Sequence, residues 1–184
     1  MPVPYNIKWI QMNITLVGFM GTGKTTIAKR LAGKAGMKYI STDELIEKKE
    51  GMAISEIFAK KGEPYFRAVE RAVVLSASSE DNVIIDAGGG AVVDPDNVSN
   101  MKKNGILVSL WAEPEVIYER TKQFNHRPLL NVDDPLRQIS ELLAKRKPYY
   151  ERADYHLNTG QMSIDEAVDA VIEYFRKKYA KGPS

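Results

Sequence analysis

Residues 18–25, Gly-Phe-Met-Gly-Thr-Gly-Lys-Thr, fit the Walker A pattern G-x-x-x-x-G-K-[ST] in full. The residue types state the chemistry. Glycines let a loop close around phosphates with its backbone N–H groups pointing inward as an anion nest. A helix beginning near Lys24 adds the partial positive charge of its N-terminus. Gly21, Thr22, Gly23, Lys24, Thr25 and Thr26 are therefore the candidate ATP-binding residues. Lys24 is expected to reach the β- and γ-phosphates, and Thr25 to set its hydroxyl on Mg²⁺. A chance glycine turn is the competing explanation. An apolar run before the motif and a helical pattern after it argue against that.

Other chemistry-bearing residues lie further along. Asp86 ends the apolar run Val83-Ile84-Ile85 in the manner of a Walker B acid, just before the triple glycine Gly88, Gly89 and Gly90. Asp43 and Glu44 follow Ser41, and Ser41 with Glu44 three residues on is a capping-box pattern that opens a helix. Arg67 stands near Glu70 on a helical stretch, and Arg146 sits in the basic cluster Lys145-Arg146-Lys147. The two histidines, His126 and His156, are isolated and make no metal site.

Elements must position these groups. Short apolar runs alternate with amphipathic helical patterns, which predicts a parallel sheet covered by helices on both faces. Strands are expected at Ile14 to Val17, Met37 to Ile40, Val83 to Ile85, Ile106 to Trp111 and Tyr155 to Leu157. Helices are expected from Lys24 to about Gly36, after Ser41, on either side of Gly62, after Pro114, from Pro135 and from Ser163. Pro114 suits a first helical turn. The stretch Phe124 to Asp134, with Asn125, His126, Arg127 and Pro128, has weak periodicity and reads as a long mobile loop.

At 184 residues and 43% hydrophobic, with no repeat, low-complexity tract or Pro/Gly linker, the chain is expected to form one domain spanning 1–184. Residues 1–11 precede the first strand and read as a short arm or a mis-chosen start. A net charge of +2 argues against nucleic acid as a partner, and the Lys/Arg clusters read as solvated helix faces. With no cysteine, a disulfide scaffold and a thiolate metal site are excluded. No run approaches a membrane span, and no long apolar stretch opens the chain, so the expected location is the cytoplasm.

A P-loop does not name the phosphate acceptor. Gly62-Glu63, Phe66-Arg67 and Glu70, the Gly88–Gly90 turn, Arg127-Pro128-Leu129-Leu130, and Arg146, Pro148 and Tyr150-Glu151 follow one another in an order and spacing that resembles the shikimate kinases. The resemblance runs from about Ile14 to Thr159. It implies a three-layer α/β/α P-loop fold with a parallel sheet of about five strands and a mobile lid over 124–134. It also implies transfer of the ATP γ-phosphoryl group to the 3-hydroxyl of shikimate, with Mg²⁺, on the route to chorismate and the aromatic amino acids. Shikimate and ATP would be the partners, with no nucleic acid or membrane, and the enzyme a monomer.

The resemblance carries roles residue by residue. Arg67 and Arg146 look like the pair that holds the shikimate carboxylate, a task suited to guanidinium forks. An Arg67–Glu70 helix pair and a surface position for Arg146 are the structural alternatives. Asp43 matches the substrate aspartate and is the candidate general base, alongside its role as a first-turn acid. Gly88, Gly89 and Gly90 would bring backbone N–H groups to the substrate where a Cβ would intrude. Phe58 and Phe66 would form an apolar wall, or plain core. Arg127 would swing onto the transferring phosphate as the lid closes. Arg120, seven residues earlier, matches an arginine near the nucleotide.

The chain departs from the family pattern in two places. Shikimate kinases usually carry Asp-x-Asp after the second strand, the first aspartate serving the metal's water shell; here that position is Ser41. Asp86 stands where a small residue is usual, so we expect it to carry the charge that Ser41 lacks, beside Thr25 on the metal side; the competing reading is that Ser41 is only an N-cap and Asp86 pairs with a nearby cation. Near Asn158, where Asp-Thr and a later arginine are usual, Asn158-Thr159-Gly160-Gln161 keeps only part of the pattern. Two other readings stand beside this one: a P-loop kinase for another small polyol or hydroxy acid such as gluconate, and a nucleotide-binding regulatory module without catalysis.

Overall fold

The computed structural model describes residues 12–122 and 132–179. Its five strands form one all-parallel sheet: β1 (Asn13–Gly18), β2 (Lys38–Ser41), β3 (Val83–Asp86), β4 (Gly105–Trp111) and β5 (Tyr155–Asn158), ordered β2-β3-β1-β4-β5. The helices are α1 (Lys24–Ala35), α2 (Thr42–Glu50), α3 (Ile54–Ser78), α4 (Pro95–Lys103), α5 (Pro114–Thr121), α6 (Pro135–Tyr150) and α7 (Ile164–Tyr179). The expected α/β architecture is met, and each expected strand lies within a residue or so of its observed bounds.

Alternation along the strands builds the two faces. Ile14 and Leu16 of β1, with Ile106 and Val108 of β4, join Ile27 and Leu31 of α1 and Val168 and Val171 of α7 in one core. Val17 of β1 and Leu107 of β4 turn the other way, onto Val74, Met101, Ile117 and Ile139. A third cluster, Ile46, Ile57, Phe66, Val69 and Val73, holds α2 against α3.

Helix ends follow their chemistry. Gly36 closes α1 in the left-handed conformation with its N–H returned to Ala32. Ser41 caps α2, accepting from the Glu44 N–H at 3.2 Å. The two helical stretches expected around Gly62 run on as α3, broken only at Gly62 (φ 81°, ψ 169°). Pro64 falls in the first turn after that break, where its missing N–H costs nothing. The short 3-10 turn Ala91–Val93 and one α-helix were not anticipated. Helix α4 follows Asp94, whose side chain accepts from the Asp96 N–H at 2.9 Å, with Pro95 at its start. That Asp-Pro pair was a legible start signal.

Among the described residues no helix is long and apolar enough to cross a membrane. Most of the expected lid, including Arg127, His126 and Pro128, lies outside the described residues, as does the segment before Met12.

Candidate active site

In-register pairing brings the carboxyl ends of the strands together. Ser41 pairs with Asp86, Leu16 with Asp86, Gly18 with Leu110, and Trp111 with Asn158. Ligands of open parallel sheets bind along that edge. The P-loop leaves β1 there. Gly21 and Gly23 take φ of +77° and +87°, left-handed values that glycine adopts freely. Thr22 is buried, its hydroxyl donating to the Phe19 carbonyl at 2.7 Å. Lys24, Thr25 and Thr26 follow at the exposed start of α1, and Lys24 and Asp43 line the same cavity.

The neighbourhood of the P-loop hydroxyl is well defined. Thr25 Oγ1 donates to Asp86 Oδ2 at 2.6 Å, and the Tyr39 hydroxyl donates to the same oxygen at 3.3 Å. Burial, and then the adjacent Asp86 charge, push the Tyr39 phenol well up, so it stays protonated. Ser41 and Asp86 are neighbours, as expected.

A cavity of about 700 Å³ opens beside the P-loop. Its walls include Lys24, Asp43, Phe58, Phe66, Arg67, Glu70, Gly88, Gly89, Gly90, Arg120 and Arg146, so most of the residues selected from the sequence converge on one space. A shallower hollow of about 630 Å³, on the outer side of α1, carries the exposed Arg30–Asp165 ion pair instead of convergent polar groups.

Arg67 makes the helix ion pair weighed for it and also lines the cavity. Its Nη1 donates to buried Glu70 at 2.8 Å and its Nη2 to Glu63 at 3.0 Å, while the side chain, 29% exposed, still faces the cavity. Arg146 lies over the Phe19 ring at 5.5 Å. The Gly89-Gly90 turn runs between the two guanidinium groups. A Cβ on Gly90 would sit 2.7 Å from Arg67 Nη1, and one on Gly89 would sit 3.7 Å from Arg146 Nη1.

Asp43 enters from the first turn of α2. A Cβ on Gly88 would meet Asp43 Oδ1 at 2.8 Å and Glu70 Oε1 at 3.3 Å, so the two carboxyl groups converge over this glycine. Desolvation raises the Asp43 carboxyl above its ordinary value; the Asp86, Glu47 and Glu44 charges add to this, and Lys24 opposes it. Burial raises Glu70 as well, against the pull of Arg67. Phe66 is buried and its ring centroid lies 4.5 Å from that of half-exposed Phe58, so the pair is core on one side and cavity wall on the other.

On the nucleotide side Arg120 is tied to the P-loop. It donates to the Gly21 carbonyl at 3.2 Å and to the Thr159 carbonyl at 2.7 Å. Thr159 in turn donates to the Thr22 carbonyl at 2.8 Å. Asn158 Oδ1 accepts from the Gly160 N–H at 2.8 Å, supplying the acceptor that an aspartate would supply. The partial motif therefore still docks onto the P-loop.

Three residues were not singled out from the sequence as site residues. Glu70 grips Arg67, Tyr39 touches Asp86, and the Tyr150 hydroxyl donates to the Gly89 carbonyl at 2.9 Å. Glu70 had the local signal of its spacing from Arg67, and Tyr39 that of sharing a strand face with Ser41.

The glycine turn yields a graded prediction. A Cβ on Gly89 would press on the Gly18 backbone carbonyl at 2.8 Å, which cannot swing away. Gly89→Ala should therefore cost about 1–3 kcal/mol of stability. Gly90→Ala meets the Arg67 guanidinium, a side chain that can shift but whose Nη1 is held by buried Glu70, so it should lower the melting temperature by less than Gly89→Ala does.

A protein-family model described as shikimate kinase matches residues 20–176. This chain belongs to the shikimate kinase family. A shikimate kinase from Caldanaerobacter subterraneus subsp. tengcongensis is 46% identical over 165 residues, covering 90% of this chain and 96% of the relative. One from Thermoanaerobacter pseudethanolicus is 44% identical over 167 residues, covering 90% and 98%. The solved shikimate kinase from Acinetobacter baumannii in complex with shikimate superposes with a TM-score of 0.86 at 35% identity, covering 92% of this chain and 96% of that one. The shikimate kinase fold is thus shared along nearly the whole described length.

Proposed function

We propose that this shikimate kinase transfers the γ-phosphoryl group of ATP to the 3-hydroxyl of shikimate, giving shikimate 3-phosphate and ADP. The observation that carries this is the convergence of the P-loop with two arginines, an aspartate and a glycine turn on one cavity. Such a cavity suits a small hydroxylated carboxylate next to a nucleotide. Arg67 and Arg146 grip the acceptor carboxylate, and Phe58 with Phe66 packs against its ring. Gly88 to Gly90 let the ring approach the backbone.

Asp43 is the general base. Its carboxyl, raised by burial above the ordinary carboxylate range and so a stronger base, accepts the hydroxyl proton as the oxygen attacks phosphorus. Lys24 and the P-loop N–H groups neutralise the phosphates, and Arg120 fixes the nucleotide end. Arg127, from the segment outside the described residues, would complete the charge neutralisation and exclude water on closure.

The residues beside the P-loop fit Mg²⁺. A hydroxyl and a carboxylate oxygen are hard donors, and with the Thr25 proton committed to Asp86 the Thr25 oxygen presents its lone pairs outward. Thr25 and Asp86 would hold the ion together with phosphate oxygens and water, and the ion would supply charge neutralisation for the transferring phosphoryl group. We place the enzyme in the cytoplasm as a monomer of one domain, working on the chorismate route.

The test is ADP release from MgATP with and without shikimate. Shikimate-dependent turnover, with the KM for shikimate raised in Arg67→Ala, is the expected result. ATP binding without any stimulation by shikimate would redirect the search to gluconate and other polyols or hydroxy acids. Binding without turnover on any acceptor would leave a regulatory nucleotide-binding module.

A further inference from the structure

Tyr39 has no part in the chemistry above, yet it touches the metal-side carboxylate. Its hydroxyl and that of Thr25 converge on one oxygen, Asp86 Oδ2, at 3.3 and 2.6 Å. Two donors arriving from different elements, β2 and α1, fix the rotation of a carboxylate as well as its position. Asp86 is 6% exposed and Tyr39 half-buried, so water competes weakly for these bonds. The ring itself is covered by Lys29, whose ammonium lies 5.3 Å from its centroid. Ser41, the register partner of Asp86, has its hydroxyl engaged as the α2 cap. On this side of the site β2 therefore presents a phenol, and the carboxylate comes from β3.

We propose that Tyr39 is a positioning residue for Mg²⁺·nucleotide binding, its phenol holding the Asp86 carboxylate in the orientation the hydrated ion needs. The inference rests on the Mg²⁺-dependent kinase reading. It assigns Tyr39 no contact with nucleotide or acceptor. Its effect should appear only when both the metal and the Asp86 carboxylate are present.

The experiment is calorimetric titration of ADP into the full chain with and without Mg²⁺, no acceptor being added. The quantity read is the gain in ADP affinity that Mg²⁺ confers. Tyr39→Phe keeps the ring and removes the hydroxyl, and it should reduce that gain by roughly 10-fold, as loss of an outer-sphere partner does. ADP affinity without Mg²⁺, and the KM for shikimate, should stay at wild-type values. In an Asp86→Asn background the gain should already be small, and adding Tyr39→Phe should change nothing further. A wild-type gain in Tyr39→Phe would overturn the proposal. So would an equal loss of ADP affinity with and without Mg²⁺, which would mark the phenol as merely structural. Full additivity with Asp86→Asn would also overturn it. Failure of the underlying kinase reading looks different: the wild-type chain itself would show no Mg²⁺ gain and no turnover.

Discussion

Asp43→Asn is expected to lower kcat by about 10²- to 10⁴-fold, with the KM for ATP nearly unchanged, because the amide keeps the shape of the side chain but cannot take a proton. The pH profile should carry the same signature. Burial holds the Asp43 carboxyl above its ordinary 3.8, so the acid limb of kcat in the wild-type enzyme should lie above that value and vanish in the variant. Stability should move the other way. A carboxyl raised by folding contributes stability that is complete below the unfolded value of 3.8 and is lost as pH rises through the folded value. Above the folded value the Asp43 carboxylate therefore weighs against the fold. Asp43→Asn should melt higher than wild type at pH 7, the trade expected of a strained catalytic group. A variant that melted lower and kept its acid limb would remove Asp43 from the catalytic role.

Arg67→Ala should act on two quantities at once. Loss of a charge-assisted bond to the acceptor carboxylate costs about 1.5–3 kcal/mol, so the KM for shikimate should rise roughly 10- to 150-fold. The same substitution strands Glu70, whose side chain is 2% exposed, without its 2.8 Å partner. Breaking such a pair costs about 3–5 kcal/mol, and because Arg67 is 29% exposed the lower end applies. For a chain of this size that is a fall in Tm of roughly 6–12 °C. Arg67→Ala with Glu70→Gln separates the two effects. Removing the stranded charge should restore most of the melting temperature and none of the shikimate affinity. If affinity returned with stability, Arg67 would be a structural pair and nothing more. Arg67→Lys should fall between, since it keeps the charge and loses the fork.

Much of this site is written locally. The P-loop is contiguous, and its glycines, its lysine and the helix after it do the same thing in any strand-loop-helix setting. The triple glycine, the Ser41 cap and the Gly36 stop are likewise decided within a few residues, so they were legible. The role of Asp86 was partly legible, because an acid ending an apolar strand marks a sheet edge. That it meets Thr25 depends on β3 lying beside β1, which is a property of strand order.

Other features had no local form. Arg67 could be seen as either a helix ion pair or a substrate ligand, and only the fold shows that a side chain paired with Glu70 also lines the cavity. Glu70 and Tyr150 stood in the family motifs, Glu70 also as a helix partner of Arg67, but that they brace the glycine turn shows only when α3 and α6 pack around it. Helix α4 was missed although Asp94-Pro95 announces it, since its few buried positions, Asn97 and Met101 among them, give a weak apolar stripe.

The sequence by itself determined the phosphate-binding loop, the alternation that makes a parallel sheet, and the family through motifs scattered along the chain. It did so because backbone conformation and amphipathic period are short-range properties. The tertiary structure alone decided which carboxylate stands beside Thr25, what holds it, and how Asp43, Arg67 and Arg146 come to share one cavity. Those facts depend on register and strand order, which bring Tyr39 and Asp86 together across 47 positions of chain.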